Sequence, residues 1–165
     1  MNRVAELWQK GEYFVPEVLR AAKTMQAGMD ALKPFMVAGD LSKRVSVAIG
    51  TVKGDRHDIG KNLVGMMWQG VGYAVEDLGV DVPPERFLEA ARKGARVIGM
   101  SSLLTTTMAE MKRVIDLLGD QALRDGVVVM VGGAPVTPEF AQRIGADHYA
   151  RDAAQAVEIL NRHLQ

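Results

Sequence analysis

The feature that most narrows the fold is an alternation between two hydrophobic periods. From residue 45 onward, short β-rich runs take turns with helical runs. VSVAIGTV (45–52) precedes GKNLVGMMWQG (60–70), and YAVEDLG (73–79) precedes PPERFLEAARKG (83–94). RVIGMS (96–101) precedes a helical pattern from Thr106 to Leu118, and GVVVMVGG (126–133) precedes TPEFAQRIG (137–145). ADHYA (146–150) and DAAQAVEILNRHL (152–164) complete the series. Strands separated by helices of this length build βαβ units, hence a parallel sheet covered on both faces. The expected fold is α/β: a flavodoxin-like (Rossmann-type), doubly wound, five-stranded parallel sheet.

A short N-terminal helical arm precedes it. Val4, Leu7 and Trp8 share a face in a pattern that stops at Gly11. After Pro16, the residues Val18, Leu19, Ala22, Met25, Met29 and Leu32 recur at three- and four-residue spacing, the mark of an amphipathic helix. Pro34 and Gly39 punctuate its end. Two helices are too few for an independent helical domain, which divides the chain into an arm over 1–42 and an α/β domain over 43–165.

In open parallel sheets, ligands sit beyond the carboxyl ends of the strands, at the switch in strand order. GDRHDIG follows the first strand, SSLLTTT (101–107) the third and GGAPVT (132–137) the fourth. Every unusual loop therefore falls on one sheet edge. The net charge of zero over 165 residues argues against a nucleic-acid binder, which needs a clustered basic excess. With no cysteine, disulfides and thiolate metal sites are excluded. There is no long apolar run and no secretory signal pattern, so the expected setting is cytoplasmic.

GTVKGDRHDIGKN (50–62) has the glycine density of a phosphate loop, but Gly54 and Gly60 enclose five residues and Asn62 stands where a magnesium-binding hydroxyl belongs. The dinucleotide fingerprint fails on glycine spacing as well. His57 is the centre of this loop. In an extended loop, residues two apart point the same way, so Asp55 can hold one ring nitrogen and leave the other free. That is the outer-shell support of a metal-ligating histidine. One histidine cannot hold a bare transition ion, but it can be an axial ligand to a metal already held in a macrocycle. The plainer alternative is a loop histidine satisfied by Asp55 or Asp58.

Asp55-x-His57-x-x-Gly60, then Ser101-x-Leu103, then Gly132-Gly133, resembles the signature of cobalamin-binding domains. DRHDIGKNLV, SSLLTTTMAEM and VGGAPVT together are similar to the corrinoid proteins of methyltransferase systems and to the cobalamin module of methionine synthase. EYFVPEVLRAAKTMQAGMDALKPFM resembles the second half of that family's helical cap, so 1–42 matches a partial cap where the family usually has a four-helix bundle.

The resemblance implies a cobalamin bound base-off and His-on, in the methylcobalamin form, with its nucleotide tail in a channel beside the sheet. His57 would be the lower metal ligand. Gly54, Asp55, Arg56, Asp58, Ile59, Gly60, Ser101, Leu103, Thr105, Gly132 and Gly133 would join it in binding the cofactor. Ser101 and Thr105 match positions that hydrogen-bond the tail, with capping of the helix near residue 106 as their local alternative. Thr107 falls where methionine-synthase relatives place a serine, completing a catalytic relay of Asp55, His57 and Thr107. Asp58 is expected to cap the helix from Gly60, and Lys61 and Asn62 to bond near the tail or the loop.

The implied function is a methyl carrier. Its partners would be a substrate:corrinoid methyltransferase and an acceptor methyltransferase using tetrahydrofolate or a thiol, with a reductive activase as a further candidate. Two alternatives are an adenosylcobalamin subunit of a radical mutase and a cobalamin-sensing domain. Val4, Leu7, Trp8, Val18 and Met25 are candidates for an exposed apolar face joining two copies, or a copy and a methyltransferase, through the arm. Met25, Met29 and Met36 read as helix packing, His148 and His163 as surface or packed side chains, and Tyr13 and Phe14 as residues able to lie over the corrin.

Overall fold

The computed structural model describes residues 7, 10–36 and 45–163 of the chain. The chain divides into two compact units, 1–37 and 38–165. The first contains helix α1 (Val15–Met36). Glu17, in its first turn, reaches back to accept the Phe14 backbone N–H at 3.0 Å, so one donor exposed at the helix start is satisfied. Pro34 falls inside the last turn of α1 rather than after it. Val4, Trp8 and Gly39, which figured in the expected arm, lie outside the described residues.

The second unit is the expected α/β fold. In chain order it runs β1 (Ser46–Val52), α2 (Ile59–Gly70), β2 (Ala74–Val82), α3 (Pro84–Arg92), β3 (Val97–Ser101), α4 (Ala109–Asp120), a short 3-10 turn (Arg124–Gly126), β4 (Val128–Gly132), α5 (Pro138–Ile144), β5 (His148–Ala150) and α6 (Ala153–His163). The five strands lie in the order β2-β1-β3-β4-β5, and every neighbouring pair is parallel. The direction of winding reverses between β1 and β3. The loops after those two strands therefore open on either side of one crevice.

The period-two pattern of the strands sorts their side chains onto two faces. Val47, Ile49, Val97 and Met130 pack with Trp68 of α2 and Leu160 of α6. Ala48, Val52, Ile98, Met100, Val129 and Val131 pack with Phe87 of α3 and with Met111 and Leu118 of α4. Trp68, 1% exposed, donates its indole N–H to the Ala156 carbonyl at 3.3 Å, which ties α2 to α6. Two strand glycines make room for the large rings. A Cβ on Gly99 would stand 2.9 Å from the Trp68 ring, and one on Gly50 would stand 2.9 Å from the Phe87 ring.

Two boundaries differ from those read in the sequence. β2 continues to Val82 rather than stopping at residue 79, because it carries two extra residues in its pairing with β1 between the Ser46–Ala74 and Val52–Val82 pairs. α4 starts at Ala109 rather than Thr106. The intervening hydroxyl-rich stretch is a turn: Thr107 sends its backbone N–H to the Leu104 carbonyl at 3.1 Å.

The glycine reading gives a direct test. Gly99→Ala forces a methyl group against a ring that is itself fixed by a hydrogen bond, and overpacking of this kind costs about 1–3 kcal/mol. Gly119, in α4, has open space around its Cβ position, so Gly119→Ala should be neutral or stabilising by up to about 1 kcal/mol. In urea unfolding, Gly99→Ala should shift to lower denaturant than the parent, and Gly119→Ala should match or exceed the parent.

Candidate functional site

The site is built on a carboxylate that the fold has removed from water. Asp55 is 0% exposed and sits just past the end of β1. Its Oδ1 accepts the His57 backbone N–H at 3.1 Å and faces His57 Nδ1 at 2.7 Å. Its Oδ2 accepts the Leu103 N–H at 2.6 Å, the Leu104 N–H at 3.2 Å and the Thr107 hydroxyl at 3.2 Å. The loops after β1 and β3 thus meet on one side chain. Burial alone would raise the pKa of this group. The backbone N–H groups of Leu103 and His57, together with the His57 ring, outweigh it and lower the Asp55 pKa from 3.8 to about 2.

That ionisation fixes the histidine. An ionised carboxylate only accepts hydrogen bonds, so Nδ1 of His57 carries a proton and Nε2 is the nitrogen turned away from the carboxylate. The His57 side chain is 53% exposed while its partner is 0% exposed, so the ring projects outward from a buried anchor. The Thr51 hydroxyl, itself buried, donates to the His57 carbonyl at 2.7 Å and holds the backbone of that residue.

Behind Asp55 lies a second hydroxyl. Ser102, 0% exposed, stands 2.8 Å from the Thr107 hydroxyl. Both hydroxyls also lie within reach of the Leu104 carbonyl, Ser102 at 3.1 Å and Thr107 at 3.0 Å, so Ser102, Thr107, Asp55 and His57 form one connected set of polar contacts. Sequence reading did not single out Ser102. Of the hydroxyls in SSLLTTT, only the fold decides which ones turn inward.

The remaining expected residues fall into groups. Gly54, Arg56, Gly60 and Leu103 are exposed at the same edge, with Asp58 and Ile59 half-buried among them. Leu103 and Leu104 present unusual apolar surface there, at 42% and 40% exposure. Asp58 occupies the N-cap position of α2 but makes no side-chain capping bond; it accepts instead from the Asn62 amide at 3.2 Å. Ser101 and Thr105 do not cap α4 either, since its N-cap position is Met108, without a side-chain cap. Lys61 is buried and bonds Asp77 and Asn62 at 2.6 Å.

The glycines differ in kind. A Cβ on Gly60 would meet nothing within 4 Å, whereas one on Gly133 would stand 1.9 Å from the Ser102 carbonyl oxygen. Gly133 also has φ +124°, a conformation side chains resist. A Cβ on Gly132 would stand 2.7 Å from the Ala150 carbonyl oxygen. The Gly132–Gly133 pair is therefore required by the backbones beside it.

His148 and His163 lie at the other edge of the sheet, because His148 begins β5 and all the strands are parallel. Their rings meet nearly at right angles, with His148 Nε2 3.1 Å from His163 Nδ1.

A family model described as B12 binding domain matches residues 45–158, and a second of the same description matches residues 1–33. The chain belongs to the B12-binding family. It is 47% identical over 159 residues to a dimethylamine corrinoid protein of Methanosarcina acetivorans, covering 95% of this chain and 75% of the relative. Its structure is similar to that of the monomethylamine corrinoid protein of Methanosarcina barkeri, with a TM-score of 0.84 and 37% identity over 96% of this chain and 76% of that one. It is also similar to a chain in the crystal structure of a methanol:cobalamin methyltransferase complex from Methanosarcina barkeri, with a TM-score of 0.70 and 33% identity over 96% of this chain and 61% of that one.

The residues present fit the corrinoid cofactor that this family binds. Among the described residues, no group of three or more histidines and carboxylates could hold a free metal ion. His57 offers one outward nitrogen, which suits a metal whose other positions a macrocycle fills. The exposed Leu103 and Leu104 and the unfilled space at Gly60 suit a large, partly apolar ligand. Among the described residues, no helix is long and apolar enough to cross a membrane.

The low Asp55 pKa makes this site contribute to folding stability. A carboxylate lowered from 3.8 to about 2 adds on the order of 2 kcal/mol, fully present above the unfolded value and lost as pH falls through the folded one. Asp55→Asn lacks this contribution. The gap between parent and variant unfolding free energies should be full at about pH 6 and close toward about pH 2. A gap that stays constant over that range would exclude the buried carboxylate as its source.

Proposed function

We propose that the chain is a corrinoid methyl carrier that binds cobalamin base-off and His-on, with His57 Nε2 as the lower ligand to cobalt. The observation that carries this reading is the outward His57 ring, fixed through Nδ1 by a buried and ionised Asp55. Support comes from the family and from relatives named for dimethylamine and monomethylamine. By that likeness the partners are a substrate:corrinoid methyltransferase and an acceptor methyltransferase, and methylated amines are the first donors to test. When bound, a cobalt corrinoid supplies a centre that takes a methyl group from one substrate and yields it to another.

The protein's own part is to hold His57. Asp55 would keep the proton on Nδ1 and the ring in place, with Nε2 turned toward the metal. The carboxylate is already ionised and needs no rearrangement to support positive charge on the ring. The Thr107 hydroxyl and the Leu103 and Leu104 N–H groups hold the other carboxylate oxygen and keep it from turning away. Gly60 leaves the space through which the nucleotide tail would run beside α2, and Ser101 and Thr105 hold hydroxyls at the same edge for it.

Two experiments test this reading. In the Co(II) protein, the paramagnetic resonance spectrum should show nitrogen hyperfine splitting that changes when the protein's histidines carry heavy nitrogen. The splitting should vanish in His57→Ala; its persistence there would remove His57 as the ligand. Gly60→Val should leave apo stability within about 0.5 kcal/mol, since the site is open and helical. It should weaken cobalamin binding far more than binding of tail-less cobinamide. Equal weakening of both would place the tail elsewhere.

A further inference from the structure

The bulge in β2 has a use. β2 gains its two extra residues where it runs beside the carboxyl end of β1, with register shifts between Ile49 and Gly50 and between Gly50 and Val52. The bulge puts Asp81 at φ +54°, in the left-handed region that non-glycine residues rarely adopt. Such conformations persist only where the surroundings over-determine them, and they cluster at functional sites. In this conformation Asp81 grips the chain on the near side of Asp55 at two points. Its Oδ1 accepts the Gly54 N–H at 2.7 Å, and its own N–H donates to the Asp55 carbonyl at 2.8 Å. Gly54 meets it with φ +82°.

The other end of the bulge is anchored too. Buried Lys61 of α2 holds both carboxylate oxygens of Asp77 at 2.6 Å, and Asp77 Oδ1 also accepts the Gly79 N–H at 2.9 Å. On the far side of Asp55, Thr51 holds the His57 carbonyl. The backbone carrying Asp55 is thus fixed before and after it. This matters because the exposed His57 ring hangs from Asp55, so any play in the backbone of Gly54 and Asp55 becomes play in the ring.

We propose that Asp81 is a positioning residue for His57, acting through the peptide groups on either side of Gly54 and Asp55. The inference rests on the reading of His57 as the cobalt ligand, and it assigns Asp81 no contact with the cofactor.

Three variants separate positioning from general stability. Asp81→Asn keeps an acceptor for the Gly54 N–H and tolerates the left-handed backbone. Asp81→Gly removes the acceptor while relieving the strain, so the fold should remain as stable as the parent. Asp81→Ala removes the acceptor and keeps the strain. In the apo protein, hydrogen exchange at the Gly54 amide should quicken about tenfold in the Gly and Ala variants, as loss of a charge-assisted hydrogen bond implies, and stay near parental in the Asn variant. In the Co(II) cobalamin protein, histidine nitrogen splitting should weaken in the Gly and Ala variants and return in the Asn variant. If the parent shows the splitting and Asp81→Gly matches it, the positioning role is overturned, even where exchange has quickened. If the parent lacks the splitting, the ligand reading has failed. The Gly54 exchange rate then tests the clamp separately, and an unchanged rate in Asp81→Gly overturns it.

Discussion

The functional edge of this protein depends on one buried negative charge. A carboxylate out of water is costly unless nearly all its hydrogen-bonding capacity is used, and Asp55 accepts from five groups at once. These donors come from two loops that are far apart in sequence and adjacent only because β1 and β3 are neighbours. The charge therefore organises the site in both directions. It draws the Leu103 and Leu104 amides and the Thr107 hydroxyl inward, and it orients the His57 ring outward with Nε2 turned away from the carboxylate. Replacing any one donor leaves the others to carry a charge that cannot reach water.

The sheet topology makes such a convergence inexpensive. In an all-parallel sheet every strand delivers its carboxyl end to the same edge, and the reversal between β1 and β3 opens a crevice there. The loops need only be short and correctly filled. β2, at the outer edge of the sheet, departs from regular pairing where it runs beside the end of β1. There Asp77 meets Lys61, and Asp81 meets the Gly54 N–H and the Asp55 carbonyl. An irregular edge strand supports the central loop without contributing a side chain to its exposed face.

The glycines show how one residue type serves different ends. Gly50 and Gly99 make room for rings inside the core, and Gly132 and Gly133 let neighbouring backbones approach. Gly60 does neither. Its missing side chain leaves space facing outward, and nothing in the protein's own packing calls for it. The sequence presents all of these as one class of small residue, and only the positions of surrounding atoms separate those the packing requires from those it leaves open.

The alternation of hydrophobic periods was enough to give a parallel five-stranded sheet with helices on both faces, because period two and period 3.6 bury different residues and cannot be interchanged. It also placed the loops bearing His57, Ser101 and Gly132–Gly133 at one edge, and the Asp55–His57 pair followed from a two-residue spacing. Local pattern could not reach further than that. It put the start of α4 three residues early and missed Ser102, because whether a hydroxyl caps a helix or turns to a buried charge depends on a carboxylate some fifty positions away. It gave Asp58 a capping role that the fold does not use, and the capping alternative for Ser101 and Thr105 is not taken up either. It could not foresee that β2 would bulge and bring Asp81 under the histidine loop, since strand register is settled by contacts across the sheet and not along the chain. The sequence determined which groups this protein has and on which edge they lie; tertiary structure decided which are buried, which share a proton, and which way the histidine points.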